Sequence, residues 1–223
     1  MWLAPGARRA LDLEFRFLPR PRPGARLLDV GVGDGSFLVR AREAGWQASG
    51  VDIDPVVVAN AGYRALDVLQ GGLERHAGSA GCFDAITMNH VIEHLHRPTE
   101  TLALAFRLLK DGGRLWIETP NIDSFGHAAY GAHWRGLEAP RHLVVFSARA
   151  LEHALRSAGF SDWRHIHRPE IAAPIFSASE RLARRAVGSD ETPELGWRGR
   201  LLLLRGRLAP RRAEYLSLLV RKP

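Results

Sequence analysis

Three glycines, Gly31, Gly33 and Gly35, alternate directly after the apolar run Arg26 to Val30 and before the helical pattern Phe37 to Ala44. Such a chain has to turn sharply from strand to helix. Without Cβ atoms the backbone reaches conformations closed to other residues, and a ligand can lie directly against it. The helix that follows offers unpaired N–H groups to an anionic or strongly polar group. The spacing is G-x-G-x-G, whereas a dinucleotide fingerprint runs G-x-G-x-x-G/A and would need Ser36 to be the third small residue, which counts against a nicotinamide cofactor.

The next element narrows the architecture. Gln47 to Asp52 reads as a second strand ending in a carboxylate, and Asp54-Pro55 places a turn or capping residue before a proline suited to open a helix. Asp52 lies 17 residues beyond Gly35. In an open α/β sheet a carboxylate at the carboxyl end of the second strand faces the crevice and can accept both hydroxyls of a ribose. The plainer alternative for Asp52 is a surface turn aspartate.

Strands and helices then alternate. Strand-like runs are expected at Ala65 to Leu69, Phe83 to Asn89 and Arg114 to Glu118, with a sixth near Asp162 to His167 and a last at Glu214 to Arg221. Helices are expected at Ala7 to Phe17, Pro98 to Leu109 and Ala148 to Ala158. Lys110-Asp111-Gly112-Gly113 reads as the stop of the Pro98 helix, a basic residue followed by glycines. Parallel strands require crossovers of this kind.

The charge is unevenly placed. Residues 1–163 carry 18 basic and 18 acidic side chains, while 164–223 carry 13 and 6, so the whole excess of +7 sits in the tail. A nucleic-acid binder would spread its charge over the folded face, and 29 of the 31 basic residues are arginine, a bias that genome composition can produce. With 223 residues and 46% hydrophobic composition the chain can bury a sizeable core, and the lone Cys82 excludes an internal disulfide framework. Met1 to Arg20 holds Arg8, Arg9 and Arg16 without a continuous apolar stretch, so no secretory signal is expected, and no run is long enough for a membrane span.

Residues 168–213 are too long a connection to be plain loop, and a basic helical insertion or lid is expected there, within a single domain spanning 1–223. Ser177-Ala178-Ser179-Glu180 reads as a capping box opening a helix with Leu182, Ala183, Ala186 and Val187 apolar. Trp197 to Leu208 combines leucines with arginines, which suits a lid, a partner, or a membrane surface touched through 177–212.

With Asp29 two residues before the first glycine, and with "FDAITMNHVIEHLHRP", "LLKDGGRLWIETPN" and "ALRSAGF" following in order, the chain resembles class I S-adenosylmethionine (SAM) dependent methyltransferases. Within them it is similar to the bacterial branch of the ubiquinone-biosynthesis O-methyltransferase and polysaccharide-cluster methyltransferases. The resemblance implies a Rossmann-like seven-stranded, mostly parallel sheet with an antiparallel last strand, helices on both faces, and the helical insertion between strands six and seven. It also implies a SAM cofactor, released as S-adenosylhomocysteine. Gly31, Gly33 and Gly35 would approach the methionyl part and ribose, and Asp52 with Ile53 would hold the ribose. Asp29 would order the amino group or serve as a buried structural carboxylate. Gly72 stands where the family carries an adenine-binding Asp, so Leu73 is left to pack on the ring, and Asn89 and His90 would lie beside the reacting methyl.

For a hydroxyl acceptor a base is useful. His142, in "APRH" after the fifth strand, is the first candidate and His90 the second. His90 and His94 share i, i+4 spacing with Glu93 and His96 nearby, but "EHL" occurs in the resembled family without metal, and no metal is expected. The implied activity is O-methylation of a small molecule, sugar or lipid-linked acceptor. Nucleic acid is not expected as a partner, because Thr119-Pro120-Asn121 does not match the adenine-methylating tetrad. The alternatives are a noncatalytic SAM-binding or interaction protein, or an RNA or protein methyltransferase using the basic tail. The expected location is cytoplasmic, with peripheral contact at the inner membrane surface.

Overall fold

The computed structural model describes residues 5–186, 188 and 197–223; the first four residues and the part of the predicted insertion at 187 and 189–196, Val187 included, lie outside the described residues. Among the described residues the strands are β1 (Arg26–Val30), β2 (Gln47–Asp52), β3 (Asp67–Gln70), β4 (Phe83–Asn89), β5 (Leu109–Pro120), β6 (Asp162–His165) and β7 (Tyr215–Arg221). They form one sheet in the order β3-β2-β1-β4-β5-β7-β6. β7 runs antiparallel to both β5 and β6, and the other pairings are parallel. The expected architecture is the one observed.

Among the described residues the α-helices are α1 (Pro5–Glu14), α2 (Ser36–Glu43), α3 (Pro55–Tyr63), α4 (Pro98–Leu108), α5 (Phe125–Tyr130), α6 (Ala148–Ser157), α7 (Ala172–Arg185) and α8 (Trp197–Leu208). Both sheet faces are covered. On one, Leu28, Ile86, Ile117 and Leu218 pack with Leu102 and Leu108 of α4 and Leu151 and Leu155 of α6. On the other, Leu27, Ala85, Trp116 and Leu219 pack with Leu38 and Ala41 of α2 and Ala61 of α3. This two-sided burial explains why the strands read as apolar runs and not as alternations. A third cluster, Phe125, Ala172, Phe176 and Leu202, joins α5 to α7 and α8. Among the described residues no helix is long and apolar enough to cross a membrane.

Three local expectations are corrected. Lys110 to Gly113 does not end the helix as a loop; it lies inside β5, which opens at Leu109 opposite Phe83 and shifts register before Ala85. Gly112, at φ +74°, makes this irregular start possible, and its N–H donates to the Lys222 carbonyl at 3.1 Å. β3 begins at Asp67 and not at Ala65, because Ala65 and Leu66 close α3 through bonds to Gly62 and Ala61 and Leu66 turns into the core. The capping-box serines do not start a helix either. α7 begins at Ala172, and the buried Ser179 in mid-helix donates to the Ile175 carbonyl and accepts from the Arg135 N–H.

Glu214, immediately before β7, is buried and accepts from the Gly126 N–H at 2.8 Å and from Trp134 Nε1 at 2.7 Å. Burial pushes its carboxyl up to about 7, against the pull of those two donors. Between the ordinary carboxylate value and about 7 the folded chain therefore holds a proton that the unfolded chain has lost, so this group's contribution falls as pH rises through that window. The expected loss is on the order of 3 kcal/mol. Burial also holds His76 below its ordinary value, which opposes the trend, so the contribution is isolated with Glu214→Gln. Urea unfolding at pH 5 and pH 8 should give a steeper fall for the native chain than for the variant; equal slopes would remove the assignment.

Candidate active site

The strand order reverses between β1 and β4: from β1 the chain builds outward to β2 and β3, and β4 returns to the other side. Loops leaving adjacent strand ends there diverge and open a crevice. A cleft of about 620 Å³ occupies this position, with Gly31 and Gly33 after β1, Asp52 and Ile53 at the end of β2, Gly71 and Gly72 after β3, and His90 and Val91 after β4 on its walls.

The glycine turn is built for close approach. Gly31 sits at φ +73°, and a Cβ there would fall 2.6 Å from Val91 Cγ2. Gly33 sits at φ +58° with open space where a Cβ would project, so any side chain would fill part of the cleft. Asp52 is anchored from both sides: Oδ2 accepts from the Gly33 N–H at 3.1 Å and Oδ1 from the Asp54 N–H at 3.0 Å. Each oxygen keeps a lone pair for a further donor. Asp54 accepts from the Val56 N–H and caps α3, with Pro55 in its first turn. Ile53, 79% exposed, leaves an apolar wall on the cleft.

Four of the predicted cofactor residues do not line this cleft. Asp29 is fully buried, accepting from Thr87 Oγ1 and Arg16 Nη1, which matches the structural reading of the two. Burial pushes its carboxyl above the ordinary range, partly offset by Arg16. Gly35 caps α2 against Leu66, Leu73 lies in the core, and Asn89 turns its Oδ1 to accept from Trp116 Nε1 at 3.1 Å. Gly72 does reach the cleft wall, with its N–H on Glu74 Oε1 at 2.8 Å.

A second cavity, about 290 Å³, shares His90, His94 and Arg141 with the first and is completed by His142, Glu138, Ile175 of α7 and Tyr215 of β7. His90 stands at the seam at φ +55°, a conformation costly for a side chain with a Cβ. Its Nδ1 lies 3.4 Å from Glu93 Oε1, its Nε2 3.6 Å from Glu118 Oε1, and its ring packs edge-on against Tyr215. Burial and the carboxylates of Glu118, Glu214 and Glu93 push the Tyr215 phenol up, so it stays a neutral O–H.

His142 is almost enclosed, with 6% of its side chain exposed. Its Nδ1 donates to the Gly136 carbonyl at 2.8 Å, which leaves the lone pair of the neutral ring on Nε2, and Glu138 Oε2 lies 3.7 Å from that atom. Burial pushes the Glu138 carboxyl up, but Arg135 and Arg141 beside it outweigh burial and hold it below the ordinary range. The sequence reading missed Glu118, Glu138, Ile175 and Tyr215. Of these only Glu118 carried a signal, an acid continuing the apolar run Leu115-Trp116-Ile117.

The "Methyltransferase domain" family matches residues 6–165 of this chain. The chain belongs to the class I SAM-dependent methyltransferases. Among this methyltransferase's relatives, the ubiquinone biosynthesis O-methyltransferase of Xanthomonas oryzae pv. oryzae (strain PXO99A) is 33% identical over 127 residues, 53% of each chain. The chain thus spans about half the length of that relative. A SAM-dependent methyltransferase structure from Archaeoglobus fulgidus superposes with a TM-score of 0.63 at 18% identity, covering 97% of this chain and 92% of that one. The Haemonchus contortus phosphoethanolamine N-methyltransferase 2, in complex with SAM, superposes with a TM-score of 0.65 at 19% identity, covering 97% of this chain and 52% of that one.

Proposed function

We propose that this methyltransferase binds SAM in the larger cleft and methylates a hydroxyl on a small, sugar or lipid-linked acceptor entering through the smaller cavity. The observation that carries this is the Asp52 carboxylate, fixed by two main-chain N–H groups beside a glycine turn at the sheet's switch point. Asp52 would hold the ribose hydroxyls, Gly31 and Gly33 would let the ligand lie on the backbone, and Ile53 would be covered by it. When bound, SAM supplies a methyl group on a positively charged sulfur. The chain's part is to align the acceptor oxygen, exclude water, and receive the hydroxyl proton. The near-enclosed His142, whose Nδ1 is taken by the Gly136 carbonyl, supports its Nε2 as the group for the last of these. The resemblance to curated O-methyltransferases supports the choice of oxygen as acceptor atom.

Ile175 on the wall of the smaller cavity supports reading 168–213 as a lid. The outer side of α8 supports the surface contact expected for 177–212. Trp197, Leu201, Leu204 and Leu208 recur at helical spacing and are exposed, while Leu202 faces Phe125 and Phe176.

Calorimetric titration with SAM, S-adenosylhomocysteine and NADH tests the cofactor assignment. Both sulfur compounds should bind and NADH should not. Asp52→Ala should weaken them by about 1–3 kcal/mol through lost hydrogen bonds. Unaltered affinity in that variant would move the ribose site elsewhere, and absence of binding to the folded chain would defeat the proposal.

A further inference from the structure

A third cavity, of about 540 Å³, shares no wall residue with the two already described. It lies where the loop after β5, the opening of α6 and the Pro210–Arg212 turn before β7 meet. Three arginines, Arg149, Arg211 and Arg212, stand on its wall against a single acid, Asp123. Arg211 and Arg212 belong to the basic tail, and among the described residues no other cation of 164–223 lines any of the three cavities.

The fold holds these side chains in place from below. Asn121 is fully buried, and its Nδ2 donates to the Arg211 carbonyl at 3.0 Å and to the Ala213 carbonyl at 2.9 Å, while its Oδ1 accepts from the Asp123 N–H at 3.1 Å. One buried amide therefore fixes two sides of the cavity relative to each other. Arg212 donates from Nε to the Asp123 carbonyl at 3.2 Å, and its guanidinium lies over the Phe125 ring, 4.3 Å from the centroid. Its two terminal nitrogens make no hydrogen bond among the described residues. Arg211 Nη2 is 3.7 Å from Glu152 Oε1, an oxygen already met by His165 Nε2 at 2.9 Å. Arg149 has no hydrogen bond or ion pair among the described residues, and the first turn of α6 carries no acid beside it. Like charges gathered around one cavity repel until an anion joins them.

We propose that this cavity binds the phosphate group of a small soluble ligand. Guanidinium forks match phosphate oxygens through paired N–H donors, and an arginine already stacked on a ring loses little freedom on binding. The space is larger than a bare phosphate needs, and Ile122, Ala128 and Ala148 give it an apolar wall for the organic remainder. The site stands apart from the cleft proposed for SAM and from the acceptor cavity, so the inference goes beyond the methyl-transfer reading and does not depend on it.

The test is titration of isotope-labelled protein with inorganic phosphate, exchanged for chloride at constant ionic strength, followed by the NMR signals of backbone amides and arginine Nε–H groups. Saturable shifts with one shared Kd should appear at Asp123, His127, Arg149 and Arg212. Arg149→Gln and Arg212→Gln should each weaken phosphate binding by more than about tenfold. Arg107→Gln, at an exposed position of α4, should leave it unchanged. Phenyl phosphate should compete for the same place and bind more tightly than the bare anion. All three substitutions are at exposed positions, and the amide spectrum with SAM affinity reports their folding. Unsaturable drift over the whole surface, or an equal loss in Arg107→Gln, would overturn the site. Phenyl phosphate binding no tighter than inorganic phosphate would overturn the organic ligand. Capture by phosphatidylglycerol vesicles without any response to inorganic phosphate would overturn the proposal and assign the arginines to a membrane surface.

Discussion

His142→Ala is expected to slow methyl transfer to a hydroxyl acceptor by about 10²–10⁴-fold while leaving SAM affinity nearly unchanged. The separation follows from where the side chain sits. His142 faces the smaller cavity and is absent from the walls of the larger one, so its removal takes nothing from the cleft proposed to bind SAM. Its ring is held in one tautomer by Gly136 and shielded from bulk water, the arrangement a positioned base requires. Single-turnover kinetics with saturating SAM measure the effect directly. Undiminished turnover in His142→Ala would remove that role and leave His90, at the seam of the cavities, as the next base to test.

The architecture was legible because its causes are local. Strands buried on two faces read as apolar runs, Asp54-Pro55 announces α3, and alternating glycines mark the turn that opens the cleft. Asp52, Gly31, Gly33, Ile53, Gly72 and His90 reached the cleft wall for the same reason, each standing at or just beyond a strand end. What was not legible depends on contacts between distant segments. Asn89 follows the same strand-end logic, yet the Trp116 indole, 27 residues away, claims its side-chain oxygen. Ser177 to Glu180 has the spacing of a cap, but Ser179 is pulled into mid-helix by Ile175 and by the Arg135 N–H, 44 residues distant.

Arg168→Met is expected to destabilise the fold by about 3–5 kcal/mol, the usual consequence of stranding one half of a buried ion pair. Arg168 Nη1 reaches both carboxylate oxygens of Glu118, at 2.8 and 2.7 Å, with the two side chains only 15% and 3% exposed. Glu118 points from β5 toward β7, where Ser217 Oγ also donates to it, and His90 Nε2 stands 3.6 Å from its other oxygen. Removing the guanidinium therefore leaves a buried carboxylate with one hydroxyl donor and an imidazole in place of a cation. The pair itself need not add net stability, since desolvating both charges offsets much of their attraction. Arg168→Met combined with Glu118→Gln should accordingly recover most of the loss. Urea unfolding of the two single variants and the double variant measures the coupling. A single-variant loss below about 1 kcal/mol, the range of an exposed pair, would show that water reaches Glu118 freely. Because Arg168 opens the connection leading into α7, the same substitution should loosen the wall that Ile175 contributes to the smaller cavity, and acceptor KM should rise more than SAM affinity falls.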